Sequence, residues 1–287
     1  MLRGALYGLS AAAIWGGMYV VSDVVLPVIP PFTLLTLRLL FGGFVLSFLL
    51  LISGKPVTLT RRKLLQLLGV GFLGFGISVG AQFVGTDLST AMNGSLITSA
   101  SPAFIVLFAA VVLKERLTSR RLIAIGLATL GVLFIIDLSQ ADFGSQTFMG
   151  DLALLIAAIT WGLYSVLVRA VSKDTDTLVV TVFAFYGGSI LTIPAMLVES
   201  NTRPTGEITL PILLGVLYLG VVSTAGAMWL WNRAFALVDA SVASLFFFAQ
   251  PLVGAILSSV VLDQPFTPGL LVGSVLIAAG VLLALRE

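Results

Sequence analysis

The chain has 287 residues, 59% hydrophobic and 10% charged, with 15 Lys and Arg against 13 Asp and Glu, and neither His nor Cys. Soluble domains carry about 25% charged residues, so so few charges cannot clothe a water-facing surface, and lipid must be the solvent for most of the outside. Missing Cys excludes disulfides and thiolate metal sites, missing His removes the usual general base and commonest metal ligand, and a net charge of +2 offers nucleic acid no basic face. No cofactor and no metal is expected.

A membrane-crossing helix needs about 20 apolar residues to traverse about 30 Å of hydrocarbon. Polar or Pro/Gly breaks divide the chain into ten such runs. The first, Leu6–Val25, follows Met1-Leu2-Arg3 and reads as a retained span, because everything downstream is equally apolar and no soluble mature domain follows a cleavage site. Ala11, Trp15 and Tyr19 form a stripe along it. The second, Phe32–Ile52, holds Arg38, and the third, Leu64–Gly85, carries Ser78 and Gln82 on one face that continues to Thr86. Asn93, Ser95, Thr98, Ser99 and an internal Pro102 mark the fourth, Ala91–Leu113; the fifth is Leu122–Asp137. In the sixth, Gly150–Val171, Ala157, Trp161 and Ser165 repeat the aromatic stripe, with Tyr164 beside it. The seventh is Leu178–Val198, and the eighth, Thr209–Asn232, has Thr224, Met228 and Asn232 on one face. Ser244, Phe247, Phe248, Gln250 and an internal Pro251 lie in the ninth, Ala240–Leu262, and Gly269–Leu285 is the tenth. Small pairs such as Gly76-xxx-Gly80 and Gly269-xxx-Gly273 read as close helix packing.

Charge orients these spans. With ten crossings, thirteen Lys and Arg fall on one side, chiefly in the loops with Arg61, Arg62, Lys63, Lys114, Arg116, Arg120 and Arg121, and Arg203 alone falls on the other. The positive-inside rule then puts both termini in the cytoplasm. The expected location is an integral position in a cell membrane, that of a bacterial inner membrane.

The halves also repeat. Trp15-Gly16 matches Trp161-Gly162 and Leu73-Gly74 matches Leu219-Gly220 at an offset of 146, Gly42-Gly43 matches Gly187-Gly188 at 145, and Pro102 and Gly131 match Pro251 and Gly280 at 149. A nearly constant offset across several spans marks a duplication. Each unit has an odd number of crossings, so the second sits upside down relative to the first, an arrangement from which many carriers are built. The expected fold is an all-α membrane protein of ten transmembrane helices as two inverted five-helix repeats, residues 1–143 and 144–287.

The stretch from Ala91 through Ser101-Pro102 to Lys114-Glu115-Arg116-Leu117-Thr118 and Gly131 resembles the EamA-type drug/metabolite transporter superfamily. Its second copy runs from Ala240 to Pro251, Asp263-Gln264-Pro265-Phe266-Thr267 and Gly280, and the Trp-Gly of span one and Arg38 fit the same pattern. Gln264 stands where the family often has Glu, and Phe183 where Arg38 would have a counterpart. Within the superfamily the chain is similar to YddG-like amino-acid exporters. The resemblance implies a central cavity lined by spans one, three, four, six, eight and nine.

The polar and aromatic faces fall on those six spans. The candidate substrate-binding residues are Trp15, Tyr19, Ser78, Gln82, Asn93, Ser95, Thr98, Ser99, Trp161, Tyr164, Thr224, Met228, Ser244 and Phe248, with Pro102 and Pro251 as gating hinges. Helix–helix hydrogen bonding, buried aromatic packing and static kinks account for these residues equally well. Arg38, about 9 Å into its span, must face protein, water or a partner; Asp23 and Asp87 end spans on the same side as structural partners for it, and steering a carboxylate is its other role. No Asp or Glu is centred in a span, which disfavours organic cations and a direct proton relay. Energy coupling is therefore either an existing solute gradient or an edge acid such as Asp23 or Asp87. The expected activity is export of small neutral or zwitterionic solutes, amino acids including aromatic ones, by alternating access. Small-molecule substrate and lipid bilayer are the expected partners, with no nucleic acid and a monomeric state. The rival classes are an intramembrane enzyme, which lacks a visible nucleophile–base pair, and a non-transporting scaffold, which has no use for matched prolines.

Overall fold

A computed structural model describes residues 2–54, 57–89, 97–135, 147–250, 252–253, 256 and 268–285, apart from the side chains of 19, 20, 23, 132, 135, 270, 284 and 285. Among the described residues the structure is all helical. In an apolar solvent each backbone N–H and C=O must be satisfied within its own segment, and a helix does this without a partner strand. The helices are α1 (Leu2–Val25), α2 (Pro31–Ile52), α3 (Arg61–Leu88), α4 (Ser101–Leu113), α5 (Ser119–Ile135), α6 (Phe148–Val171), α7 (Thr177–Glu199), α8 (Leu210–Leu237), α9 (Ala240–Ala243, tightening into a 3₁₀ stretch Ser244–Phe248) and α10 (Pro268–Leu285). Among the described residues α2, α3, α6, α7 and α8 are long and apolar enough to cross a membrane, and Ser101–Leu113 and Leu271–Leu283 are shorter apolar helices. Phe44, Leu51, Val111, Val198 and Val275 stand on the outer surface more than two-thirds exposed, as a lipid-facing perimeter requires.

Helix ends are fixed by the side chains that the sequence places there. Thr60 caps α3 by accepting from Lys63 N at 3.2 Å, and Asp176 caps α7 by accepting from Leu178 N at 2.9 Å. Pro31 opens α2, where no N–H is needed, and the Glu199 carboxylate from the end of α7 accepts from Phe32 N and Thr33 N at 3.1 and 2.9 Å. Lys114, at φ 56°, adopts the left-handed conformation that ends α4.

Packing is pairwise. α5 lies against α10, α2 against α7, α1 against α8, and α3 against α6. Close approach is set by glycine: a Cβ on Gly131 would stand 2.7 Å from Gly273 O, and one on Gly280 would stand 2.6 Å from Ala124 O. Gly71 and Gly187 similarly let α3 and α7 touch backbone to backbone, at would-be distances of 1.9 Å to Ala184 O and 2.1 Å to Leu68 O.

Two features differ from unbroken spans. The chain turns at Ser99 and Ala100, so α4 begins at Ser101 and Pro102 occupies its first turn, where a proline breaks no hydrogen bond. α3 and α8 each change to π-helical hydrogen bonding midway, at Phe72–Val79 and Tyr218–Gly226. Phe72 and Tyr218 are 146 residues apart, the same offset that relates the sequence halves.

Candidate functional site

Between α1, α2, α3, α6 and α8 lies a cavity of about 90 Å³, measured by where the centre of a water-sized sphere can lie. One water needs about 10–15 Å³ on that measure, so the space holds several waters or a small organic solute. Trp15, Met18 and Ser22 line it from α1, and Leu26 from the turn just after it. Steps of three and four residues keep them on one helix face. From α3 come Ser78, Val79, Gln82, Phe83 and Thr86, a second continuous face. Ala157, Ala158 and Trp161 contribute from α6, Met228 from α8, Arg38 from α2, Thr98 and Ser101 from the start of α4, and Phe247 and Gln250 from α9 and beyond. Ser78 is 2% exposed and Gln82 and Thr86 are half-buried, so among the described residues the cavity opens toward the Leu88 end of α3.

Its inner wall is aromatic. Trp15 meets Trp161 edge-on at 5.9 Å, Trp231 at 5.2 Å and Phe247 at 6.4 Å between ring centroids, and its indole Nε1 donates to Ser223 O at 3.0 Å. Beneath this cluster a buried polar ladder joins three helices. Tyr164 OH donates to Asn232 Oδ1 at 3.1 Å, Asn232 Nδ2 donates to Thr181 Oγ1 at 3.0 Å, and Thr181 donates to Thr177 O at 2.7 Å.

Arg38 is 3% exposed. Its Nε donates to Thr224 Oγ1 at 3.0 Å, Nη2 lies 3.2 Å from Met18 Sδ, and the guanidinium sits 5.8 Å from the Phe83 ring centroid. Thr224 in turn donates to Leu219 O at 2.7 Å, five residues back and inside the π stretch. Among the described residues lining the cavity, Arg38 is the ionised one. Asp87, one of its expected partners, is engaged by Arg203 Nη1 at 2.9 Å; the Asp23 side chain lies outside the described residues. That contact pushes the Arg203 guanidinium above its ordinary pKa.

Three buried polar atoms on the cavity wall have no hydrogen-bond partner among the described residues: Ser22 Oγ, Trp161 Nε1 and Gln250 Oε1. Leaving such a group unsatisfied costs about 1–3 kcal/mol. Water or a bound solute in the cavity is the available source of partners.

The far end of the bundle is sealed by ions. α3 starts beside the end of α6, where Lys63 pairs with Asp174 and donates to Val171 O at 3.3 Å. The Lys63 ammonium holds the exposed Asp174 carboxyl below its ordinary pKa. At that end Glu115 accepts from Ala240 N, Ser241 N and Ser241 Oγ at 2.9, 3.2 and 2.8 Å, fixing the start of α9. Arg169 Nε reaches Glu115 at 3.2 Å, and Arg169 Nη2 and Arg121 Nη2 hold Asp239 at 2.7 and 2.8 Å. Among the described residues no cluster of acids could hold a metal ion.

Of the residues chosen from sequence, Trp15, Ser78, Gln82, Thr98, Trp161, Met228 and Arg38 line the cavity. Tyr164, Thr224, Ser244 and Phe248 are buried behind it: Tyr164 in the ladder, Thr224 under Arg38, Ser244 donating to Ser241 O at 2.9 Å, and Phe248 in the core. Ser99 stands at the turn before α4 without lining the cavity. Asn93, Ser95, Pro251 and the Tyr19 side chain lie outside the described residues. Ser22 and Gln250 were missed as site residues, although the face of Trp15 continued by three and four residues reaches Ser22.

A lipid-facing helical bundle around a small, mostly uncharged cavity, with ion pairs gathered at one end, is the build of a membrane transporter. A model of the EamA-like transporter family matches residues 2–137 and again residues 148–286, and the chain belongs to that family. The uncharacterized transporter YoaV of Bacillus subtilis (strain 168) is 23% identical, over 98% of this chain and 96% of its own. The uncharacterized transporter YetK of the same organism is 28% identical, over 92% and 81%. A solved crystal structure matches with a TM-score of 0.86 over 98% of both chains at 22% identity, a likeness of fold alone.

Proposed function

We propose that the chain is a carrier exporting small neutral or zwitterionic solutes, amino acids including aromatic ones and related metabolites, by alternating access. The carrying observation is the cavity itself: an aromatic wall at Trp15 and Trp161, uncharged polar groups at Ser78, Gln82 and Thr98, and a buried Arg38, closed toward Glu115. It suits a solute with an apolar body and a few polar atoms.

The architecture we propose is ten transmembrane helices in two inverted five-helix units, residues 1–143 and 144–287, with both termini in the cytoplasm of a bacterial cell. Two matches to one family model support it. So does the exchange in packing: α1 with α8 is the counterpart of α6 with α3, while α2 with α7 and α5 with α10 pair each helix with its own mate. Gly131 and Gly280, mates in sequence, both sit at the α5–α10 contact. Similarity to YddG-like exporters favours amino acids. An enzyme would need a nucleophile and base, and a scaffold has no need of a cavity open at one end. Counterflow of labelled amino acids in proteoliposomes separates these readings, because only a carrier exchanges solute across the bilayer. Counterflow without an imposed pH gradient is expected, and absence of exchange for every standard amino acid and a panel of neutral metabolites sinks the carrier reading.

A further inference from the structure

Trp15 and Trp161 stand 146 residues apart, the offset that relates the sequence halves, and each lies on a helix packed against a π-helical stretch: α1 against Tyr218–Gly226 of α8, and α6 against Phe72–Val79 of α3. Their indoles are nevertheless used differently. Trp15 Nε1 donates to Ser223 O at 3.0 Å, inside the α8 stretch. The position equivalent to Ser223 is Ile77, 146 residues earlier and inside the α3 stretch. Trp161 makes no such bond: it is 8% exposed, and its buried N–H has no partner among the described residues. The residues on either side of Trp161 do reach α3 around Ile77. Four residues before it, Ala157 O accepts from Ser78 Oγ at 2.8 Å; three residues after it, Tyr164 meets Phe75 edge-on at 5.2 Å and lies against Gly74. Ile77 O accepts from Gly80 N, and a carbonyl has a second lone pair to offer.

A second mismatch mirrors the first. Ser78 and Thr224 are mates at the same offset, as are Ala11 and Ala157. Ser78 donates across to Ala157 O, whereas Thr224 Oγ1 turns back on its own helix and donates to Leu219 O at 2.7 Å. The α1–α8 contact thus has the indole bond without the hydroxyl bond, and the α6–α3 contact has the hydroxyl bond without the indole bond. Two copies of one contact, each holding the half that the other lacks, suit two inverted units caught in one state, since changing the state exchanges the roles of the units.

We infer that Trp15 and Trp161 are alternating latches of the transport cycle. In the state closed toward Glu115, Trp15 Nε1 holds Ser223 O and Ser78 Oγ holds Ala157 O; in the opposite state Trp161 Nε1 takes Ile77 O, Thr224 Oγ1 takes Ala11 O, and the first two bonds open. This rests on the inverted-repeat carrier reading and deepens it. Both rings line the cavity and meet edge-on at 5.9 Å, so the exchange runs beside the solute. Trp161 is then a positioning residue whose indole N–H selects the state open toward Glu115, although it bonds to nothing in the state closed there.

The test uses the full chain in detergent, which has no cysteine of its own. One reporter is Thr86→Cys, half-buried on the cavity near the Leu88 end of α3; the other is Ser244→Cys, fully buried one turn after Ser241 at the Glu115 end. Each reacts with maleimide in proportion to the state that exposes it, so the ratio of the Ser244→Cys rate to the Thr86→Cys rate follows the ratio of the two states. Phenylalanine in place of either tryptophan keeps a ring and removes the donor. Trp15→Phe raises the rate ratio about two- to tenfold, the usual weight of one neutral hydrogen bond. Trp161→Phe, with no bond to lose in the state closed toward Glu115, lowers it by a similar factor. The variant carrying both changes returns toward the wild-type ratio. Ser78→Ala acts in the direction of Trp15→Phe and takes its place where loss of that indole prevents folding. Shifts of the same sign from the two tryptophans, or no shift from either, overturn the inference, since a merely structural role for the indoles produces no opposition of sign. Wild-type counterflow that persists alongside such a result leaves the carrier reading standing and removes the latch exchange alone.

Discussion

At one end of the bundle Glu115, Arg121, Arg169 and Asp239 converge from four segments on the start of α9; at the other, among the described residues, the ion pair Asp87–Arg203 is nearly half exposed on both sides. The side chains of Glu115 and Arg121 are 9% and 10% exposed. Removing one member of a buried set strands the others in low dielectric, whereas an exposed pair is screened by water and contributes little. The closed end is therefore cooperative and costly to open, and the open end is weakly held. In the alternating-access cycle proposed above, that difference would favour the state closed toward Glu115.

The largest expected effect comes from breaking the closed end. Glu115→Ala takes from Arg169 one of the two carboxylates it reaches and leaves the N–H groups of Ala240 and Ser241 without their acceptor, and a loss of about 3–5 kcal/mol should appear as a clear drop in thermal stability in detergent. The chain has no cysteine, so the buried Ser244 can be changed to Cys and probed with maleimide without background. Labelling should be fast in the Glu115→Ala variant and slow otherwise; equal rates would mean that these ions do not close this end.

Next comes the wall between the two ends. Trp15→Ala removes contacts to Trp161, Trp231 and Phe247 and should cost about 3–5 kcal/mol as well as solute binding. Gln82→Ala, at a half-buried position, should weaken solute binding with little change in stability; unchanged binding in both variants would mean that solute does not occupy this cavity. Smaller still is the open rim, where Asp87→Asn should cost less than about 1 kcal/mol and less again at high salt. The smallest effect concerns Asp174. Its folded pKa is depressed by Lys63, so its contribution is present above the ordinary Asp range of about 4 and is lost as pH falls through the lower folded value. The stability difference between wild type and Asp174→Asn should therefore be measurable at neutral pH and vanish in strong acid.

What could be read in advance follows from how conspicuous each residue is against an apolar background. Arg38 and the Trp15/Trp161 pair stand out, since a charge or a mid-span tryptophan has few roles in lipid. Ser22 and Gln250 do not, because one hydroxyl or amide in a span looks the same whether it packs or lines a cavity. Tyr164 was chosen with the lining residues for its hydroxyl, yet that hydroxyl is spent on Asn232, 68 residues away, and no local pattern announces such a partner. Glu115, Arg121, Arg169 and Asp239 are plain loop and helix-end charges until folding brings them together. Among the described residues the long apolar helices α2, α3, α6, α7 and α8 were legible from hydropathy. The break before Pro102 was foreseen as a kink and is instead a turn followed by a new helix start.

The π-helical stretches in α3 and α8 have no signature in composition, yet they carry a consequence of their own. A surplus residue in a helix acts as a dislocation does in a metal: it advances by exchanging one backbone hydrogen bond at a time, and the lattice on either side stays whole. Because the two stretches start 146 residues apart, at matching positions of the sequence repeats, α3 and α8 each carry one such dislocation, and neither rod has to break to hold it.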